Sequence, residues 1–375
     1  MRYAHGWRPA DRGAGLSGSE FVEADLTLLE RPLIDVRAPI EFAAGALPGA
    51  INLPLMDDDE RREVGIRYKL SGQEAAVALG NELVTGDLRE RRLAAWEAAL
   101  DAAPESLIYC FRGGMRSKIS QQWLRQRGRP VPRIRGGWKA MRNALLGLLE
   151  QQSSGPLLLV AGLTGCAKTA LVGALDSGID LEGLARHKGS AFGQHPRVGP
   201  SQIDFEHGLA LDLWRRPQAR VVEDESQRIG RLAIPATFWQ TMKAAPCVRV
   251  EMPLDWRLEQ IRKDYIEDLS ALYHRDYGPL LGEALFRKQL SGALKRLGKR
   301  LGSERLGRLL EAQQRAFGAA GEPQAHDAWL APLLQEYYDP MYRQQIESQQ
   351  RRTLIVGSWD ECLEAARAWS AGQRG

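Results

Sequence analysis

Short runs of consecutive apolar residues alternate with longer amphipathic stretches along most of the chain. The runs RPLIDVRA, SLIYCF and PLLLVAG have the length and the bounding residues of buried strands. The stretch RSKISQQWLRQRG carries Ile119, Trp123 and Leu124 on one helical face and stops at Gly128. This alternation predicts an α/β protein with parallel sheets.

The polar stretch QQSSGP, residues 151–156, interrupts the alternation and indicates a domain boundary. The chain has 375 residues, which is enough for two hydrophobic cores. We therefore predict a first domain at residues 1–150, with an irregular lead-in at 1–30, and a second domain at 156–375.

Within the second domain the pattern becomes helical from residue 255 to about residue 317, which predicts a helical insert. Its leucines recur at helical spacing, and basic residues fill many of the remaining positions. A basic stripe of this kind suits a nucleic-acid backbone, although the solvated face of a helical hairpin has the same pattern. The candidates for contact with nucleic acid in this insert are Lys295, Arg296, Lys299 and Arg300.

A second basic region lies in the first domain, where residues 106–149 contain no Asp or Glu. The positive electrostatic potential of so long a basic segment attracts polyanions. Two separate basic regions on one chain favour RNA as a partner. The candidates for RNA contact in this segment are Arg125, Arg127 and Arg135.

Composition and cysteine usage narrow the class of protein. Hydrophobic residues make up 44% and charged residues 26% of the chain, which is ordinary for a globular protein. Four cysteines without a C-x-x-C pair argue against a disulfide scaffold, and we assign no metal site. No apolar run is long enough to span a bilayer, and the first residues lack a signal-peptide core. We expect a cytoplasmic protein without membrane attachment. No sequence pattern indicates its oligomeric state.

The segment YCFRGGMRS places Cys110 between a predicted strand and a predicted helix, in a C-x5-R pattern that ends at Arg116. Gly113 and Gly114 allow the backbone to curl into an anion nest, a loop whose N–H groups point inward. These amides and the charges of Arg112 and Arg116 are expected to lower the thiol pKa. The loop therefore predicts a nucleophilic cysteine that also seats a tetrahedral anion. Thiol-dependent phosphatases share the spacing, so it leaves phosphate release and chalcogen transfer both open.

The segment GLTGCAKT follows an apolar strand and opens a helix, as a phosphate-binding P-loop does. Its amides would cradle a diphosphate, Lys168 would reach the terminal phosphate, and Thr169 could hold a magnesium ion. Ala167 departs from the usual glycine, and its methyl group narrows the cradle. The predicted diphosphate-binding residues are Gly162, Thr164, Gly165, Cys166, Ala167, Lys168 and Thr169.

The later segment VVEDESQRIG follows a predicted strand and is similar to a Walker B segment. Asp224 or Glu225 would then support a metal ion near the diphosphate. An ordinary acidic turn on the surface has the same composition. No cofactor is firmly indicated, and Mg²⁺ is the one candidate.

The first domain resembles a rhodanese domain in three segments, IDVRAPIEFAAGALPGAINLP, YCFRGGMRS and RIRGGWKAM. That resemblance implies that Cys110 carries sulfur or selenium. The loop after Cys110 is one residue longer than in ordinary sulfur-transferring members. The extra residue leaves room for a larger oxyanion than thiosulfate chemistry needs.

A rhodanese domain followed by a P-loop domain resembles the tRNA 2-selenouridine synthase family, as do YKLSGQEAAVALG, DLEGLARHKGSAFG and YYDPMYR. The resemblance runs from about Leu33 to the C-terminal strand. It implies that selenium replaces sulfur in the wobble 2-thiouridine of tRNA. A geranyl group from geranyl diphosphate would first alkylate the sulfur, and selenium from selenophosphate would then displace the geranylthiolate. The implied partners are tRNA, selenophosphate and geranyl diphosphate.

Three other functions stay open at this level. An ATP-dependent tRNA sulfurtransferase would use the same two loops, and a rhodanese-fold thiol phosphatase would use the C-x5-R spacing. A non-catalytic RNA-binding protein is the third alternative, and the presence of Cys110 argues against it.

Overall fold

The computed structural model describes residues 20–319 and 322–373. The chain divides between Ala144 and Leu145 into two compact units. Most of the irregular lead-in predicted at residues 1–30 lies outside the described residues. From residue 20 onward that prediction is wrong, because residues 21–22 form a strand and Leu26–Glu30 form a 3₁₀ turn. A two-residue edge strand is too short to leave a periodic pattern.

The first unit is a sheet of parallel strands with helices between them. The strands lie in the order β1-β5-β4-β2-β3. The strands are β1 Phe21–Val22, β2 Leu33–Asp35, β3 Ile51–Asn52, β4 Leu107–Tyr109 and β5 Arg133–Ile134. The helices are α1 Pro39–Ala43, α2 Asp58–Leu83, α3 Gly86–Ala102, α4 Met115–Gln126 and α5 Gly137–Gln152. Helix α2 is broken at Gly72, whose φ is 80°.

Strand register aligns the ends of β2 and β4, because Asp35 pairs with Tyr109. A buried ion pair fixes the chain just beyond β2, where Arg37 Nη2 lies 2.7 Å from Asp35 Oδ2. The Arg37 guanidinium also lies over the Trp138 ring, 4.9 Å from its centroid. These contacts hold the carboxyl edge of the sheet, from which ligand-binding loops of parallel sheets usually emerge.

The second unit has its own parallel sheet, in the order β12-β11-β6-β8-β7, and a separate antiparallel hairpin of β9 and β10. The strands are β6 Leu157–Gly162, β7 Gly178–Ile179, β8 Arg220–Glu223, β9 Arg228–Ile229, β10 Leu232–Ala233, β11 Cys247–Val250 and β12 Thr353–Gly357. The helices that alternate with these strands along the chain are α6 Lys168–Gly173, α7 Leu181–Ala185, α8 Gln202–Arg215, α9 Ala236–Ala244 and α17 Trp359–Gly372.

A helical region lies between β11 and β12, around a core that includes Leu290 and Trp329. Its helices are α10 Leu254–Arg262, α11 Asp268–Tyr277, α12 Pro279–Arg296, α13 Gly298–Leu301, α14 Ser303–Gly318, α15 Asp327–Leu333 and α16 Asp339–Gln349. It therefore extends past the end predicted near residue 317. Gly318 at the end of α14 and Pro323 shortly after it resemble the end of a helical segment in the sequence.

Both units have the α/β architecture with parallel sheets that the sequence predicted, and this fold class is confirmed. Within residues 20–319 and 322–373 no helix is both long enough and apolar enough to cross a membrane.

Candidate active sites

Cys110 follows β4 directly, at the carboxyl edge of the first sheet. Only 3% of the residue is exposed, and its Sγ lies 3.3 Å from Oγ of Ser117 in α4. The backbone N–H groups of residues 111–114 have no acceptor among the described residues. Unpaired amides beside a sulfur are the donors that an anion needs. The thiol lies deeper than an exposed nucleophile would, so a reacting anion must approach it across these amides.

The turn that opens α5 packs against this loop. Trp138 and Lys139 donate backbone hydrogen bonds of 2.9 Å to the carbonyls of Cys110 and Phe111. Gly137 has a φ of +56°, and a Cβ there would lie 2.2 Å from the Cys110 carbonyl oxygen. Gly113 has a φ of +64°, and its Cβ would lie 2.8 Å from the Ile134 carbonyl oxygen. Glycine is therefore required on both sides of this contact, whereas Gly114 has open space around it.

Arg116 is bound by Glu41 of α1 through two nitrogen–oxygen contacts, of which Nη2 to Oε1 measures 3.1 Å. Burial works to lower the pKa of Arg116. The hydrogen bonds and charge of Glu41 outweigh it, with a smaller effect from Cys110, and the pKa is raised. Arg112 is exposed, has no ion pair within the described part of the chain, and lies 5.8 Å from the Phe111 ring centroid.

A further arginine, Arg133 of β5, also faces the loop. It is 4% exposed, and its Nη1 donates to the Gly113 carbonyl at 3.3 Å. Its Nε donates to Gln121 Oε1 at 2.7 Å. Burial lowers the pKa of Arg133, and Cys110 acts in the opposite direction. The loop is thus surrounded by more positive charge than Arg112 and Arg116 supply.

The basic segment of the first unit is largely neutralised by acids from other elements. Each of its three candidates for tRNA contact is exposed and forms an ion pair with a glutamate. The pairs are Arg125 with Glu20, Arg127 with Glu90 and Arg135 with Glu23. The positive field that the acid-free sequence predicts is therefore reduced in the fold.

The four candidates in the helical region have a different environment. Lys295, Arg296, Lys299 and Arg300 are all exposed, and none pairs with a carboxylate within residues 20–319 and 322–373. Arg296 donates to the Ala191 carbonyl at 2.9 Å, and Arg300 donates to the Tyr337 hydroxyl at 3.2 Å. This group keeps its full positive charge at the surface.

In the second unit, the predicted diphosphate-binding residues lie between the end of β6 and the first turn of α6. Lys168 is half-buried, and its Nζ donates to the Gly162 carbonyl at 3.2 Å and lies 5.9 Å from the Tyr342 ring centroid. Burial works to lower the pKa of Lys168, but Tyr342, Glu225 and Cys166 outweigh it and raise the pKa. The ammonium group is therefore kept charged where a phosphate would bind.

Ala167 adopts a left-handed conformation, with φ 49° and ψ 42°. Glycine reaches this region without a Cβ penalty, which explains why the usual motif has glycine at this position. The Ala167 carbonyl accepts a hydrogen bond of 3.2 Å from Trp359 Nε1 at the start of α17. A side chain from a distant part of the chain thus stabilises the strained conformation of Ala167.

The remaining residues of this loop are fixed by α10 and α16. Arg257 of α10 forms a buried bidentate pair with Asp339, at 2.7 and 2.8 Å, and donates to the Thr164 carbonyl at 3.3 Å. A Cβ on Gly165 would lie 2.8 Å from the Arg257 carbonyl oxygen. Cys166 is 1% exposed, and burial raises the pKa of its thiol. Cys166 is therefore a structural cysteine, and its backbone N–H donates to the Leu163 carbonyl at 3.2 Å.

An acidic group surrounds the start of α6. Thr169 Oγ1 donates to Glu182 Oε2 at 3.0 Å. Burial, together with the charge of Glu182, raises the pKa of Glu225 to about 8. Asp224 instead forms an ion pair with Arg351 at 2.5 Å. Of the two Walker B candidates, Glu225 therefore lies near the loop lysine and Asp224 holds the segment before β12.

Thr169 and Glu182 fit a magnesium ion better than Asp224 does. Mg²⁺ prefers oxygen ligands and often takes one or two from the protein, with phosphates and waters completing its shell. The hydroxyl and the carboxylate lie side by side. The cation would also favour the ionised forms of the neighbouring acids.

The comparisons with known proteins agree with both halves of this description. The family model described as rhodanese-like domain matches residues 22–144, and the one described as tRNA 2-selenouridine synthase AAA domain matches residues 155–373. A tRNA 2-selenouridine synthase of Chromohalobacter salexigens is 63% identical over 92% of this chain and 97% of its own. The chain belongs to the tRNA 2-selenouridine synthase family.

Two further family members support this assignment at greater distance. The one from Serratia proteamaculans is 45% identical over 92% of this chain and 94% of its own. The one from Pseudomonas fluorescens is 44% identical over 92% of this chain and 96% of its own.

Several residues at these sites were given no role from the sequence. In the first unit they are Glu41, which holds Arg116, and Arg133. In the second unit they are Glu182, Tyr342 and Trp359. Glu41, Glu182 and Tyr342 lie in segments that resemble this family, which was the available signal. Nothing local marks Arg133 or Trp359, because each meets its site only through tertiary packing.

Gly137→Ala should destabilise the first unit by about 2 kcal/mol, because a Cβ at positive φ is strained and would displace the Cys110 carbonyl. Urea denaturation of the full chain, followed by circular dichroism, measures the change. Gly147→Ala in the same helix is the matched control, since nothing lies within 4 Å of its added Cβ. It should be neutral or slightly stabilising. Equal effects of the two substitutions would contradict the close contact.

Glu225→Gln should flatten the pH dependence of stability between about pH 4.5 and pH 8. The raised pKa means that the folded protein keeps a proton that the unfolded chain loses. The stabilisation is therefore complete below pH 4.5 and is lost as the pH rises to about 8, by about 1.4 kcal/mol per pH unit. Melting temperatures across this range measure it. The exposed Glu364→Gln should keep the wild-type slope; an unchanged slope in Glu225→Gln would contradict the assignment.

Proposed function

We propose that this protein converts 2-thiouridine at the wobble position of tRNA to 2-selenouridine through an S-geranyl intermediate. The observation that carries the proposal is family membership over nearly the whole chain, in a protein that retains both loops. A thiocarbonyl sulfur is a poor leaving group, and alkylation makes it a good one. The two loops match the anions that the two steps would use.

In the first step, the thiouridine sulfur attacks C1 of geranyl diphosphate. The C1–O bond breaks, diphosphate leaves with the electron pair, and the proton on N3 of the base is lost. The amides of the P-loop and Lys168 bind the diphosphate. Thr169 and Glu182 would hold a magnesium ion, which would neutralise charge on the leaving diphosphate.

The acids near this loop have raised pKa values, and this suits an anionic ligand. Burial and the neighbouring Glu182 keep Glu225 largely protonated at neutral pH. A protonated Glu225 does not repel a diphosphate held by Lys168. Because the loop contacts fix Ala167 and Thr164 through Trp359 and Arg257, the amides are oriented before the ligand arrives.

In the second step, the Cys110 thiolate attacks phosphorus of selenophosphate, the phosphorus–selenium bond breaks, and selenide leaves with the electron pair. Water then hydrolyses the phosphorylated cysteine to phosphate, and the selenide attacks C2 of the base. The C2–selenium bond forms, the C2–sulfur bond breaks, and geranylthiolate leaves with the electron pair. Selenophosphate is a tetrahedral anion of the kind that the amides of residues 111–114 and the exposed Arg112 can bind beside Cys110. Arg116 is clamped by Glu41 and contributes charge from a fixed position.

The tRNA backbone would contact the helical region of the second unit. Lys295, Arg296, Lys299 and Arg300 are exposed and have no carboxylate partner within the described ranges, whereas the candidates of the first unit are paired. Unpaired surface cations release more counterions on binding a phosphate backbone. We therefore assign the main electrostatic contact to this group.

Lys168→Ala should lower geranylation by at least about a hundredfold, because it removes the charge at the terminal phosphate. The measurement is mass analysis of nucleosides from a 2-thiouridine tRNA incubated with geranyl diphosphate. The variant should still bind tRNA and convert RNA that already carries S-geranyl-2-thiouridine. Wild-type geranylation by Lys168→Ala would overturn the role of the P-loop.

Cys110→Ser should show the opposite behaviour. It should accumulate S-geranyl-2-thiouridine from geranyl diphosphate and fail to form 2-selenouridine when selenophosphate is added, because a hydroxyl is a far weaker nucleophile than a thiolate. The same nucleoside analysis detects both products. Normal selenation by this variant would remove Cys110 from the mechanism, and hydrolysis of a phosphomonoester by the wild type would favour a phosphatase.

A further inference from the structure

A cavity of about 650 Å³ opens in the first unit, and neither loop described above accounts for it. Every residue that lines it belongs to that unit. Its walls are mostly apolar and come from the chain before α2, from α2 and from α4. They include Leu55, Met56, Val77, Met115, Ile119 and Trp123. Cavities of about 300–1,000 Å³ with apolar walls are typical small-molecule sites.

The mouth of this cavity combines apolar and basic side chains. Ile66 and Tyr68 line it and are 52% and 57% exposed. Arg61, Arg62 and Lys69 also line it. Clustered apolar exposure with a polar rim usually marks a binding site. An apolar interior with a positive rim is complementary to an apolar chain that is attached to a polyanion.

The cavity adjoins the end of the Cys110 loop. Met115 and Arg116, which end that loop and open α4, line the cavity. Glu41 contacts both Arg116 and, at 3.7 Å, Arg61 of the rim. Cys110 packs in the same apolar cluster as Leu55 and Met56. A group bound in the cavity would therefore be attached to an atom near Cys110.

We propose that this cavity binds the geranyl chain of S-geranyl-2-thiouridine during selenium transfer, an inference that rests on the proposed function. When the C2–selenium bond forms and the C2–sulfur bond breaks, the sulfur leaves with the electron pair and keeps its ten-carbon chain. Holding that chain in an apolar cavity beside the loop places C2 against the selenium donor. It also selects geranylated over unmodified thiouridine.

Geranyl diphosphate fits this cavity less well than geranylated RNA does. Two rim arginines are already engaged, Arg61 by Glu41 and Arg62 by Asp59 at 2.8 Å. The amides that would hold a compact diphosphate lie in the P-loop, in the other unit. Lys69 of the rim is exposed and forms no ion pair among the described residues, so it is left for a phosphate that flanks the nucleotide in RNA.

A chain-length series on the wild-type protein tests the proposal without the first step. RNA oligonucleotides that carry S-methyl-, S-prenyl-, S-geranyl- or S-farnesyl-2-thiouridine are incubated with selenophosphate, and kcat/KM for 2-selenouridine formation is measured. We expect kcat/KM to rise at least tenfold from methyl to geranyl, because each added carbon buries more apolar surface. Equal values for all chains would overturn the proposal and leave the proposed function intact. No turnover of any of them would overturn both.

A pair of substitutions on α2 tests whether this cavity is the site of the chain-length effect on kcat/KM. Val77→Trp fills the cavity and should reduce the geranyl-to-methyl ratio of kcat/KM to about threefold or less. Ala78→Trp adds the same side chain at the next, exposed position and should keep the wild-type ratio. An unchanged ratio in Val77→Trp would overturn the location. If Val77→Trp does not fold, the chain-length series alone decides whether an apolar site exists, and Ile119→Ala should then lower the same ratio.

The same variants separate the two sources of a geranyl group. If Val77→Trp loses geranylation from geranyl diphosphate but converts S-geranyl RNA normally, the cavity serves the donor and the proposal is wrong. If it geranylates RNA normally and loses the preference for S-geranyl RNA, the proposal is supported.

Discussion

Contact between two backbone segments is the constraint on which the chemistry of the first unit depends. The turn that opens α5 donates hydrogen bonds to the carbonyls of Cys110 and Phe111, and Gly137 allows the approach because it lacks a Cβ. Since the carbonyls are occupied on that side, the amides of residues 111–114 are left for an anion. Any side chain at Gly137 would move the sulfur and the amides together.

The loop of the second unit is also held in a fixed conformation, but by different contacts. The side chains of Arg257 and Trp359 donate hydrogen bonds to backbone carbonyls of this loop. The buried pair of Arg257 and Asp339 costs desolvation, which its bidentate geometry offsets. The first site is surrounded by arginines, whereas the second pairs one lysine with acids of raised pKa. The charge around the first loop is therefore mainly positive, whereas the charge around the second is mixed.

The local motifs were predictable because each consists of consecutive residues. Cys110 with its glycines, and the P-loop with Lys168, need only the strand, loop and helix that the pattern indicates. Their partners come from far along the chain, as Glu41, Glu182 and Trp359 do, and no spacing rule connects such residues. The ion pairs of Arg125, Arg127 and Arg135 are long-range as well, so the acid-free sequence overstated the charge of that surface.

The attachment of the P-loop to the last strand and helix has a consequence for how the protein is made. Ala167 is held by Trp359, and Asp224 is held by Arg351, which lies just before β12. The ribosome synthesises residues 162–169 long before residues 351–359. The contacts that hold the P-loop in place can therefore form only when translation is nearly finished. The N-terminal unit has no such dependence on later residues for its own sheet. A nascent or prematurely terminated chain would therefore lack the contacts that hold residues 162–169, whereas the cysteine loop could already be formed.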